Sequence, residues 1–350
     1  MTWEGPGFVD HHTHLLREAA GQPAPYGERS FESVEAWHRL VLERWSTPMD
    51  EPERPIEVHD GLRGDLERAL DRAAALGLVE VWEAGMADWG YLEALLSLRA
   101  RGPLPVRVRL LVASGIADVK RMARTGDPWL EIEGVKFYAD GWLGSRTASL
   151  SEPYADRDDH GVQFLTSDML ARRADPFAEA GWTIATHAIG DRAIEVALDA
   201  YEAVWGRDTP AAAPRIEHAQ VLRPDLVQRM ADLGVVACVQ PSFAVQDVEL
   251  SRRALGGARW ADAYRWDVLL DAGVRVVAGS DHPIAELAPL RGLQDLAVGD
   301  EGDVVTLPVD QALAIMTDAA AGTTVLSDDP HDIAEDELAA IEVVEARPTG

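Results

Sequence analysis

The chain has 350 residues, 47% hydrophobic and 26% charged, with 60 acidic against 32 basic side chains and a net charge of -28. That balance excludes nucleic acid and an anionic membrane surface as partners, because both demand basic surface. Cys238 is the single cysteine, which excludes an internal disulfide and a cysteine-rich zinc module. No run approaches the ~20 apolar residues of a membrane helix and no basic, apolar leader opens the chain. A cytoplasmic protein acting on a small molecule is therefore expected, with a homo-oligomer left open.

Gly7-Phe8-Val9-Asp10 reads as a short strand running into His11-His12-Thr13-His14. Alternation along a strand sends residues i and i+2 to one side, so His12 and His14 converge while His11 points away. Two neutral imidazoles at one point begin a metal site that carboxylates or further histidines would complete. A polar stretch at 17–30, a helix at 31–46 and an acidic, proline-containing loop at 47–60 follow, an excursion of the length that covers a site. Trp37 and Trp45 share a face of that helix and read as core packing.

From residue 60 the pattern becomes regular. Helices are expected over 63–76, 88–101, 116–124, 167–180, 191–205, 224–233 and 260–272, and strands over 78–82, 106–112, 132–138, 182–187, 215–218, 235–239 and 274–279. With the first strand, eight strands alternate with helices, which is the α/β pattern of a (β/α)8, TIM-type barrel. Chemistry in such barrels sits at the carboxyl ends of the strands. His12 and His14 follow the first strand, Lys136 lies in the fourth, and His187, His218 and Asp281 end the fifth, sixth and eighth. Four imidazoles and a carboxylate suit zinc or a similar divalent ion. Lys136 lies between Val135 and Phe137, where burial favours the neutral amine. That amine can take up carbon dioxide as a carbamate, whose two oxygens are able to bridge two metals; the competing reading is a salt-bridged lysine.

Several motifs together resemble the amidohydrolase superfamily, in its amidohydrolase 3 or YtcJ-like branch. They are Asp10-x-His12-x-His14, the run from Gly134 through Lys136 and Asp140 to Ala148, Thr186-His187-Ala188-Ile189-Gly190-Asp191-Arg192-Ala193, Arg215-Ile216-Glu217-His218-Ala219 and Gly279-Ser280-Asp281-His282-Pro283. The resemblance implies one or two divalent ions, zinc first and manganese or iron next, held by His12, His14, His187, His218 and Asp281. It also implies that carbon dioxide carboxylates Lys136 as a bridge. The implied reaction is hydrolysis of a non-peptide carbon-nitrogen bond, in an N-acyl or N-formyl amine or a cyclic amide, by metal-activated water. Asp281 would be both ligand and general base. The alternatives are hydrolytic deamination of an amino-heterocycle, ester or lactone hydrolysis, and a barrel that binds a small molecule without turning it over.

Ser145 and Arg146, in a glycine-flanked loop after the fourth strand, either hold a substrate carboxylate or carbonyl or anchor their own loop. Trp142 stands where relatives tend to have a small residue, and its indole would narrow the pocket or stack on a flat substrate. Gln240 and His282 complete the candidate substrate contacts. Asp191 and Arg192 read as helix-start residues, and His38, His59, His160 and His331 as bystanders. Family members usually carry a flanking β-sandwich. Here residues 1–322 are expected to form the barrel and 323–350 a C-terminal remnant of that sandwich packed on it, with its N-terminal half absent.

Overall fold

A computed structural model of the chain describes residues 2–16, 61–206, 212–299 and 306–350. The expected stretch at 17–30, helix at 31–46 and loop at 47–60, with Trp37, Trp45, His38 and His59, lie outside them.

Strands buried on both faces read as continuous apolar runs, and the described chain follows that rule. It opens with β1 (Trp3–Thr13), α1 (Leu62–Ala75), β2 (Leu78–Met86), α2 (Trp89–Arg99), β3 (Arg107–Ala113) and β4 (Leu130–Tyr138). Next come α3 (Ser167–Glu179), β5 (Thr183–Ala188), α4 (Asp191–Trp205), β6 (Arg215–His218), α5 (Pro224–Asp232) and β7 (Val236–Val239). Three helices, α6 (Pro241–Gln246), α7 (Val248–Trp260) and α8 (Trp266–Asp271), precede β8 (Arg275–Ala278). The last elements are α9 (Pro289–Val298), α10 (Val309–Met316), β9 (Thr317–Leu326) and β10 (Val343–Pro348).

All ten strands form one sheet in the order β10-β9-β1-β2-β3-β4-β5-β6-β7-β8. Neighbours from β1 to β8 are parallel, and β9 runs antiparallel to both β1 and β10. Parallel neighbours need a crossover, which the intervening helices supply while covering the sheet. In α4, Ala193, Ile194, Ala197, Leu198 and Tyr201 are buried at helical spacing, and each large side chain contributes about 1.5–3 kcal/mol. Asp88 and Thr166 fix the starts of α2 and α3 by accepting from the Gly90 and Met169 amides.

The segment beyond β8 returns to β1. Asp281 N–H donates to His12 O at 2.7 Å, and His14 N–H donates to His282 O at 2.6 Å. Gly279 permits this approach, since a Cβ there would lie 2.3 Å from His12 N. The carboxyl ends of the first and last parallel strands are thereby brought together.

Some elements depart from expectation. Residues 116–124 form turns rather than a helix: Asp118 accepts from the Lys120 amide at 2.9 Å, a local bond that competes with helix in so short a segment. The expected helix at 260–272 is interrupted at Tyr264, whose φ is 54° and whose amide donates to Gln220 O at 2.8 Å. β9 starts at Thr317, so the expected boundary between 322 and 323 falls inside a strand. β9 extends the main sheet by pairing with the Trp3–Phe8 part of β1, and β10 pairs with β9.

Candidate metal centre

β1 delivers His12 and His14, and the turn after β8 delivers Asp281. The Nε2 atoms of the two histidines lie 3.4 and 3.3 Å from Asp281 Oδ1. The ligand atoms of these three buried residues are all within 4.8 Å of one another. His218 and His187 adjoin them, with ring centroids 4.9 Å apart for His12 and His218 and 4.5 Å for His187 and His218. Lys136 is fully buried in β4; its Nζ donates to Ala84 O at 3.3 Å and lies 4.6 Å from the centre of the Tyr138 ring. That tyrosine ring in turn is 5.6 Å from His187.

The backbone is distorted where it places these groups. His218 and Asp281 have φ of 80° and 57°, left-handed conformations that cost a non-glycine residue about 1–3 kcal/mol. In a regular strand Glu217 and His218 would face opposite sides. The left-handed turn at His218 lets both reach His12.

Each histidine is held from one side. Glu217 Oε2 lies 2.6 Å from His12 Nδ1, Gln240 Oε1 2.7 Å from His218 Nδ1, and Gly141 O 3.0 Å from His187 Nε2. Glu83 Oε1 is 3.6 Å from His14 Nδ1, and Glu83 also accepts from the Leu16 amide. Asp140 approaches His187 Nε2 at 3.4 Å while accepting from the amides of Ser149, Ile189 and Gly190. Fixing one ring nitrogen sets the direction of the other, which is how proteins orient metal-ligating imidazoles.

The carboxylates favour positive charge at this point. Burial opposes ionisation of Asp281, yet His12 and His14 outweigh it and hold the carboxyl well below the usual range. Burial likewise opposes the charged form of His14, but Asp281 and Glu83 prevail and raise its pKa to about 9. His12 Nε2 is buried without a hydrogen-bond partner among the described residues, which a protein rarely tolerates unless something binds there. Two imidazole nitrogens and a carboxylate oxygen form a donor set that fits zinc or a similar divalent ion. His12, Glu217 and Cys238 also lie close together, but Glu217 is committed to Arg215 at 2.9 Å and burial pushes the Cys238 thiol up. That cluster is a hydrogen-bonded support.

The remaining candidates have other surroundings. Arg146 donates to Asp156 and to the carbonyls of Leu143 and Gly144, so it anchors its loop. Ser145 shares a hydrogen bond with Thr147. The Trp142 side chain is half-buried and packs on the main core. Gln240 reaches the centre only through His218, and the His282 ring turns to Ala285 O and Arg72, each at 3.3 Å. Asp191 accepts from the Ser151 amide at the start of α4, and His160 and His331 lie elsewhere, against Leu150 O and against Asp310 and Asp329. Sequence reasoning assigned no role to Glu217, Glu83 or Asp140, although Asp140 and Glu217 stand inside quoted motifs.

A fold with a large parallel sheet and a buried histidine-aspartate cluster at its strand ends defines the class. The chain matches the Amidohydrolase family over residues 16–348 and belongs to it. The match begins just past His14, so the placement of His12 and His14 rests on the geometry above. Among curated relatives, YtcJ of Bacillus subtilis (strain 168) is 30% identical over 315 residues, 78% of this chain and 59% of that protein. The N-substituted formamide deformylase of Arthrobacter pascens is 33% identical over 130 residues, 37% of this chain and 24% of that one. The chain thus spans less than two thirds of the length of these relatives. A solved metal-dependent hydrolase from Pyrococcus horikoshii OT3 shares the fold with a TM-score of 0.70 and 23% identity, covering 99% of this chain and 84% of that one. Another from Pyrococcus furiosus gives 0.69 and 22%, covering 99% and 85%.

Proposed function

We propose that this chain is a metal-dependent hydrolase that cleaves a carbon-nitrogen bond in a small molecule, an N-acyl or N-formyl amine or a cyclic amide. The observation that carries this reading is the convergence of His12 and His14 Nε2 on Asp281 Oδ1. His12, His14 and Asp281 would hold a divalent ion, zinc first among candidates, with His187 and His218 beside them. When bound, such an ion polarises a carbonyl and acidifies water.

Asp281 does the proton work. Held ionised, it accepts a proton from the attacking water and returns it to the departing nitrogen. The water oxygen bonds to the carbonyl carbon, the carbon-nitrogen bond breaks, and the amine leaves with that proton. Glu217 and Gln240 keep the rings of His12 and His218 from rotating. A formyl substrate is favoured by the likeness to a protein named as a formamide deformylase.

Two structural readings accompany this one. The eight parallel strands form a closed (β/α)8 barrel, for which the hydrogen bonds between β1 and the segment after β8 speak. Lys136 carries a carboxylate taken from carbon dioxide, a reaction of the neutral amine that complete burial favours. Native mass measurement should find that increment in the parent and not in Lys136→Ala.

Protein loaded with zinc or manganese in bicarbonate should release formate or another carboxylate from a panel of N-formyl and N-acyl amines and cyclic amides. Ammonia release from amino-heterocycles, with the panel untouched, would overturn the substrate class.

A further inference from the structure

A cavity of about 380 Å³ opens at the end of the sheet opposite the metal centre, among the first residues of β5, β6, β7 and β8. Among the described residues its charged lining is Arg124, Arg215 and Arg275 against a single carboxylate, Glu133, with His11 and Trp82 completing the polar wall. Three guanidinium groups around one cavity stand out in a chain with 60 acidic and 32 basic residues.

Two of the arginines are committed. Arg215 donates to Glu217 at 2.9 Å and to His11 O at 2.9 Å, and its guanidinium lies 4.6 Å from the centre of the Trp82 ring. Arg124 donates to Gly181 O at 2.9 Å and sits 3.8 Å from Glu133. Arg275 is different. It is exposed at the mouth and makes no hydrogen bond or ion pair with any described residue, so none of its five N–H donors is taken by the described chain. His11 is a second unmet group: it is 7% exposed, yet its Nδ1 has no hydrogen-bond partner among the described residues. Buried polar atoms of that kind call for a ligand or a water.

We propose that this mouth is a second ligand site that binds a small oxyanion, a carboxylate or phosphoryl group, between Arg275 and His11, with Arg124 and Arg215 as its positive surroundings. Guanidinium donors match the paired oxygens of either group. The volume falls in the range of small-molecule pockets. Carboxylates elsewhere on the acidic surface are screened beyond about 8 Å at physiological salt, so the local arginines decide the sign of the field. Arg215 also holds Glu217, the support of His12, but Arg275 makes no contact with the metal-centre residues and can be varied without touching them.

The test is calorimetric titration of the whole protein with benzoate, with inorganic phosphate and with uncharged benzamide, in the parent, Arg275→Gln and Arg275→Lys. Benzoate or phosphate should bind the parent, and whichever binds identifies the carboxylate or the phosphoryl source. Benzamide should not bind. Arg275→Gln should weaken the anion about tenfold or more, with part of that recovered in Arg275→Lys. Because Arg275 is exposed at a strand start, neither variant threatens the fold; equal thermal midpoints check this. Absence of anion binding in the parent, equal binding of benzamide, or unchanged affinity in Arg275→Gln would each overturn the proposal.

Discussion

Buried charge at the amino ends of β2 to β4 and at the carboxyl ends of β1, β5 and β6 is arranged in opposite ways. At the amino ends of β2, β3 and β4 charges answer one another: Glu80 takes Arg107 at 3.0 Å and Arg109 at 2.9 Å, and Arg109 also lies 3.5 Å from Glu133. Glu131 accepts from the amides of Thr125, Gly126 and Ile132. At the carboxyl ends of β1, β5 and β6, by contrast, His12, His187 and His218 are each tied by one nitrogen, and His12 points the other at Asp281. A network of paired opposite charges stabilises the fold, whereas one that stops a ligand short is prepared for something the chain does not supply. Backbone strain follows the same division, with left-handed φ values at His218 and Asp281.

Breaking each end should therefore have separable results. The largest effect is expected from Asp281→Asn, which removes the base while keeping the shape of the side chain. Turnover of a formyl or acyl amine should fall by about 10²–10⁴-fold, with the thermal midpoint close to that of the parent. Arg109→Met strikes the other end: with both Arg109 and Glu80 buried, it should cost about 3 kcal/mol in denaturant unfolding. Its metal content per folded chain should not change. If Arg109→Met also emptied the centre, the two ends would not be independent.

Gln240→Leu sharpens the contrast, because it removes the acceptor that fixes the His218 ring together with a 3.3 Å donation to Cys238 O. Affinity for zinc, measured by chelator competition, should drop about 10–100-fold. The smallest effect concerns Asp247, at the carboxyl end beyond β7, whose carboxyl burial raises from 3.8 to about 6. The folded state then binds the proton more tightly than the unfolded state, so stability falls as pH climbs through that window and stays lower above it. Relative to Asp247→Asn, the parent should lose about 1–3 kcal/mol across it. Parallel pH profiles for the two proteins would contradict that assignment.

The parallel alternation and the strand-end position of each candidate ligand were readable because both depend on local periodicity. His12 and His14 share a side of β1 by simple alternation, and His187 lies near the end of β5. Glu217 was not readable as the support of His12, since alternation sends it away from His218; only the left-handed backbone at His218 reverses that. The partner of Arg146 was equally hidden, because Asp156, 10 residues on, is one of several acids in reach of the loop. The break at Tyr264 depends on a hydrogen bond to Gln220, far along the chain, which no local pattern encodes. Periodicity reveals which residues arrive at the centre, while their supports come from tertiary contacts.

The central claim is that His12, His14 and Asp281 form a metal centre, and elemental analysis of desalted protein tests it most directly. Protein expressed with zinc or manganese and bicarbonate should carry a stoichiometric divalent ion, and His14→Ala should lose it while keeping the far-ultraviolet circular dichroism of the parent. His12→Ala provides a second variant should His14→Ala fail to fold. No ion in the parent, or equal content in folded variants and parent, would contradict the account.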